Sequence, residues 1–207
     1  MKELKTRNGF TLIELLTVIA IIAILAALIF PAIKKSLEKA EVANAQTDIK
    51  NIETALKSYY TEYGKWPNGN GNTKDYSYGA FGSTYPASCN QYCENLWLMQ
   101  TLQGVSTNTD TCDCGNLNDT ANPKKIVFLE ISKKSLSPNG NFLDPWKTPY
   151  QITVDVDYDN TCTNLANTIN NSAPTPGGIN YVANRTAVVW PLGPDGKGNT
   201  KDDVTSW

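Results

Sequence analysis

The chain has 207 residues, 41% of them hydrophobic and 18% charged, with a formal net charge of −2. It contains no histidine, which excludes Ser-His-Asp and Cys-His catalysis and any histidine-ligated metal. Residues 64–207 hold ten Lys and Arg against thirteen Asp and Glu, so no net basic field draws in nucleic acid, and the segment is long enough for one core.

The first nine residues, MKELKTRNG, carry Lys2, Lys5 and Arg7 against Glu3 alone, which by the positive-inside tendency keeps this end in the cytoplasm. From Phe10 to Phe30 come 21 residues with one charge, Glu14. As a helix they extend ~31 Å, enough to cross the hydrocarbon core of a bilayer. A secretory signal peptide fits less well, because the small residue at a cleavage point, Gly9, precedes the apolar run. Glu14 has two readings. A carboxylate inside a membrane helix costs roughly 2.5–3.5 kcal/mol and is usually paired or functional, yet one turn from the helix start it can also snorkel to the headgroups.

Gly9, Phe10, Thr11, Leu12, Ile13, Glu14 and Leu15, followed by the apolar run, resemble the prepilin processing signal of type IV pilins and type II secretion pseudopilins. The resemblance implies cleavage after Gly9 by a prepilin peptidase, which then methylates the Phe10 amine. It implies that Glu14 pairs with the charged amine of a neighbouring subunit, two charges unwelcome in lipid compensating one another. It also implies a membrane-stored subunit, lifted by an inner-membrane assembly platform into a homopolymeric filament together with minor pseudopilins.

Beyond Phe30, Pro31 predicts a kink or a local weakness. The stripe Leu37, Ala45, Ile49, Ile52, Leu56, Tyr59 or Tyr60, and Tyr63 nevertheless carries helix on to Tyr63, where Gly64 and Pro67 stop it. Lys34, Lys35, Glu38, Lys39, Glu41, Lys50 and Glu53 read as a solvated polar face. The segment Asp48 to Pro67 is similar to the helix end and turn of pseudopilins.

Asn68 to Ser88, rich in Gly, Asn, Ser and Tyr, predicts an irregular surface loop within an insertion over about 68–123. Cys89, Cys93, Cys112, Cys114 and Cys162 are odd in number and lack paired CxxC knuckles. Outside the cytoplasm disulfides across Cys89 to Cys114 are favoured over zinc, with one cysteine free or paired between chains. Leu96, Trp97, Met99 and Leu102 predict a short helix on the core, and Ile126 to Ile131 a strand.

DPWKTPY, residues 144–150, leads into Gln151 to Tyr158, where Ile152, Val154 and Val156 alternate with polar residues as in a half-buried strand. The Asp-Pro-Trp and Pro-Tyr pairs resemble those of major pseudopilins, which usually have glycine where this chain has Lys147. Asp155, Asp157 and Asp159 open like an EF-hand loop, but its twelfth position is Ala166, so a charged hairpin face is expected instead. Ile179 to Trp190 reads as a strand region antiparallel to the first. The loop Leu192 to Asp203 is Gly- and Asp-rich. Resemblance to the calcium loop of the major pseudopilin makes the Leu192 carbonyl, Asp195 and Asp202 candidate calcium ligands, with Asp203 and the Val204 carbonyl next.

Together these readings predict an α+β pilin fold: residues 1–9 a leader, 10–63 a long helix spanning the membrane over about 10–30, and 64–207 an extracytoplasmic domain with a small antiparallel sheet. The function expected is a non-enzymatic subunit of a type II secretion pseudopilus in the inner membrane. The alternatives are a type IV pilus subunit and a membrane-anchored binding module.

Overall fold

The computed structural model describes residues 12–67, 75–79, 95–105, 121–162, 182–196 and 204–206. Two compact units divide the chain, residues 1–40 and 41–207. Helix α1, Leu12–Tyr63, is continuous through Pro31 and through this boundary. The fold is α+β and pilin-like, as the sequence predicts.

In the first unit every described residue is exposed, including the whole run from Leu12 to Phe30. In the second unit α1 turns amphipathic. Ala45, Ile49, Ile52, Leu56 and Tyr59 recur at three- and four-residue steps and are all buried, each large apolar side chain contributing roughly 1.5–3 kcal/mol. Gly64, at φ 66°, ends the helix with its N–H on the Tyr60 carbonyl at 2.8 Å. Leu37, predicted on this apolar stripe, lies in the first unit and is exposed. The polar face is less solvated than its charges suggest: Glu53 is buried and pairs with Lys50 at 3.0 Å, and Glu41 accepts a bond from Trp146.

Facing α1 are helix α2, Leu96–Gln103, and a three-stranded antiparallel sheet of β1 (Tyr76–Tyr78), β2 (Gln151–Val154) and β5 (Ala187–Trp190), in the order β1-β2-β5. Two short strands, β3 (Thr161–Cys162) and β4 (Val182–Ala183), form a separate antiparallel pair. Side chains alternate between the faces of a strand, and β5 shows it: Ala187 and Val189 join the core with α1 and α2, while Val188 and Trp190 join a second cluster with Cys162 and Val182. The sheet is thus buried on both faces. The N–H of Val189 donates to Ser206 Oγ at 3.0 Å, laying the Val204–Ser206 segment against β5.

Four expectations are corrected. The half-buried strand over Gln151–Tyr158 is four residues long and wholly buried, because it is the central strand and the second cluster covers its other face. Tyr76–Tyr78, placed in an irregular loop, is a strand: Tyr78 opposes Ile152 and is buried, and Ser77 Oγ lies 2.7 Å from Thr153 Oγ1. Ile126–Ile131 is not a strand. Its backbone pairs with a helix end, the N–H groups of Phe128 and Leu129 both donating to the Leu102 carbonyl at 2.8 and 3.1 Å. Lastly, Asp155 is no part of a solvated hairpin face: it is buried, and its carboxylate accepts the N–H groups of Asp159 (3.2 Å) and Asn160 (2.9 Å), folding the turn after β2 around itself. The predicted helix around Trp97 and the antiparallel pairing of β2 with β5 are observed.

Candidate functional site

The first functional element is the exposed apolar helix. An 18-residue window of α1 has a mean hydropathy of 3.0 with none of it buried. Such a stripe far exceeds the apolar patch that a water-facing surface carries, so it needs lipid or protein around it. Glu14 sits in the first turn of α1, side chain outward, with Thr17 Oγ1 bonded to its backbone carbonyl at 2.9 Å. Gly9 and Phe10 lie outside the described residues.

A second element is built by the turn 144–150 against α1. Asp144 closes the turn on itself, its carboxylate accepting the N–H of Thr148 at 2.9 Å and the Thr148 hydroxyl. The turn then reaches α1 twice: Trp146 Nε1 donates to Glu41 Oε2, and Tyr150 Oη to Asp48 Oδ2, both at 3.0 Å. Tyr150 is fully buried, its ring 5.0 Å from that of Phe142. Burial pushes the carboxyls of Asp48 and Asp144 above the usual aspartate range, with their hydrogen bonds pulling back, and pushes the Tyr150 phenol well up. A cleft of about 280 Å³ remains between α1 and the turn.

Lys147 adopts φ 75° in this turn, a left-handed backbone that costs a side-chain-bearing residue roughly 1–2 kcal/mol. This gives a physical reason for glycine at the position in the resembling family. Lys147→Gly is expected to stabilise the fold by about 0.5–1 kcal/mol, the relieved strain exceeding the entropy that glycine adds to the unfolded chain. Thermal melting of the purified chain in detergent checks it; an unchanged or lower midpoint contradicts the strain.

Of the candidate calcium ligands, Leu192 and Val204 are buried, Asp195 is exposed in a turn closed by Gly196 N–H on the Gly193 carbonyl at 3.2 Å, and Asp202 and Asp203 lie outside the described residues. Cys89, Cys93, Cys112 and Cys114 also lie outside them. Cys162 is a free, fully buried thiol directed at the carbonyls of Thr153 (3.8 Å) and Arg185 (3.4 Å); burial, with the charges of Asp75, Asp155 and Asp159 behind it, raises its pKa and suppresses the reactive thiolate. Carboxylate oxygens of Asp75, Asp155 and Asp157 lie within 4.8 Å of one another, and those of Asp155 are already held by the backbone of its turn.

Residues 4–30 match the family model of the prokaryotic N-terminal methylation motif. This N-terminal segment is therefore pilin-like. Its pilin-like relatives include the type IV major pilin protein PilE1 of Neisseria gonorrhoeae, 44% identical over 64 residues that make up 31% of this chain and 39% of that protein. A fimbrial protein of Neisseria meningitidis is 42% identical over 64 residues, 31% of this chain and 38% of its own. The type II secretion system core protein G of Vibrio cholerae is 37% identical over 67 residues, 32% of this chain and 46% of its own. The matched stretch spans less than half the length of each relative. No solved structure matches.

The residues missed by sequence reasoning are two buried asparagines. Asn95 Nδ2 donates to the carbonyls of Phe142 (2.9 Å) and Tyr150 (3.1 Å), and its Oδ1 accepts the Phe142 N–H at 2.8 Å. Asn122 Nδ2 donates to the carbonyls of Thr101 and Ile126, both at 2.8 Å, while its Oδ1 accepts the Tyr63 hydroxyl at 2.6 Å. These amides tie α2, the end of α1 and the turn before β2 together. In the sequence they stand in polar stretches with nothing to separate them from surface asparagines.

Proposed function

We propose that the chain is a structural, non-catalytic subunit of a type II secretion pseudopilus. In this reading it is held in the inner membrane by α1 with its C-terminal domain on the far side, cleaved after Gly9 and methylated at Phe10. An assembly platform then lifts it into a filament with further copies and minor pseudopilins, helping to export folded proteins. The observation that carries the reading is the exposed apolar helix holding Glu14 as its lone charge from Leu12 to Phe30, within the segment that matches the methylation motif. The turn 144–150 and the aspartates of the C-terminal loop favour the secretion branch. The pilin relatives favour the other reading, a type IV pilus subunit.

Either filament needs Glu14. Glu14→Ala is expected to leave a folded, processed, membrane-resident protein whose filament yield falls at least tenfold in electron micrographs of sheared cells. A normal yield removes Glu14 from assembly. The two branches separate on loss of the chain: failure to export folded proteins marks a pseudopilus, and loss of long surface fibres marks a pilus.

Calcium belongs to the same proposal. A carboxylate at Asp195, carbonyls at Leu192 and Val204, and the acids Asp202 and Asp203 are the oxygen donors a hard cation takes. A cation bound by the folded state alone raises the melting midpoint as its concentration passes the dissociation constant. Calcium titration is expected to raise the midpoint by several degrees in the purified chain and not in Asp202→Ala; no rise in either argues against the site.

A further inference from the structure

The cleft between α1 and the turn 144–150 is lined by Asn44, Thr47, Asp48, Ser135, Asp144 and Lys147, among others, and is dominated by oxygen acceptors. Asp48 and Asp144 are partly to fully withdrawn from water, and no cation among the described residues lies within ion-pairing distance of either. Lys147 sits on the lining without pairing to them. The bonds that Asp48 accepts from Tyr150 and Asp144 from Thr148 replace part of the solvation these carboxylates have lost, and an incoming cation supplies the counter-charge they lack.

The complementary surface is on the same chain. Lys35 and Lys39 stand four residues apart on one face of α1, both exposed, and neither has an ion-pair partner among the described residues. We propose that the cleft is an intersubunit socket, in which Asp48 and Asp144 of one copy receive the Lys35–Lys39 face of a second copy. The inference rests on the filament reading and deepens it, adding a water-side contact, specific in register, to the charge pairing assigned to Glu14. A long-stemmed lysine suits the cleft, since its alkyl chain lies along the wall while the ammonium reaches the acids.

The test is a charge exchange in the full-length chain, with filament yield, processing and membrane retention followed together. Lys35→Glu with Lys39→Glu is expected to lower filament yield at least tenfold while cleavage and membrane retention stay normal. Asn44→Lys with Thr47→Lys, both exposed positions on the cleft wall, is expected to impair assembly alone and to restore most of it when combined with the glutamate pair. As a readout independent of yield, Lys39→Cys with Thr47→Cys should give an oxidised ladder of linked copies that neither single variant gives. Wild-type yield from the glutamate pair, loss that the cleft lysines fail to restore, or absence of the ladder overturns the socket and leaves the filament reading standing. Loss of membrane retention in the glutamate pair also overturns it, assigning these lysines to lipid headgroups. If the wild-type chain forms no filaments when its assembly partners are present, both readings fall.

Discussion

Replacing Asn95 by alanine is expected to destabilise the fold by about 3–5 kcal/mol, because three backbone groups lose their only side-chain partner in a water-free site. Asn95 is completely buried, and its amide makes all three bonds at 2.8–3.1 Å to Phe142 and Tyr150, 47 and 55 residues along the chain. The thermal midpoint of the chain in detergent should fall by roughly 10 °C for a domain of this size. Asn95→Asp is the sharper probe. It keeps the volume and the acceptor but turns a carboxylate oxygen toward two carbonyls, so it should be at least as damaging. A loss below about 1 kcal/mol in both variants shows that the amide is not a structural cross-link.

A comparable effect is expected at Gly104, which ends α2 in the left-handed conformation at φ 65°, its N–H directed at the Gln100 and Thr101 carbonyls. Here the constraint is double. A Cβ on this residue would lie 2.8 Å from both the carbonyl carbon and the oxygen of Lys125, in a backbone that is held by Asn122 and so has little room to retreat. Gly104→Ala therefore combines left-handed strain with a main-chain clash and should destabilise by about 2–4 kcal/mol. Gly64→Ala provides the control: its φ is 66°, but nothing lies within 4 Å of the added carbon, so only the strain of roughly 1 kcal/mol is expected. Equal losses at the two sites contradict the clash.

These two positions also mark where the sequence stops being legible. Regular periodicity made α1, its stop at Gly64, α2 and the pairing of β2 with β5 readable, since each is written in apolar spacing or in a turn residue close by. Asn95 and Asn122 act through partners dozens of residues away, and nothing local separates a cross-linking asparagine from a solvated one. Tyr76–Tyr78 is too short to show alternation and borrows its identity as a strand from β2. Ile126–Ile131 has the apolar content of a strand but answers to the end of α2. Of the site, the methylation motif was legible because one membrane-length run marks it out. The cleft was not, because Asp48 and Asp144 become neighbours only when the turn docks on α1.

The bond from Val189 to Ser206 has a bearing on solubility. Strand β5, Ala-Val-Val-Trp, is apolar throughout and lies at the margin of its sheet among the described residues, the kind of ribbon that adds further strands from other molecules when its N–H groups are open. The serine hydroxyl occupies one of those groups, and the Val204–Ser206 segment lies along the margin. These three residues act as a guard rail: where they lie against β5, the strand of another molecule cannot add in register without first displacing them.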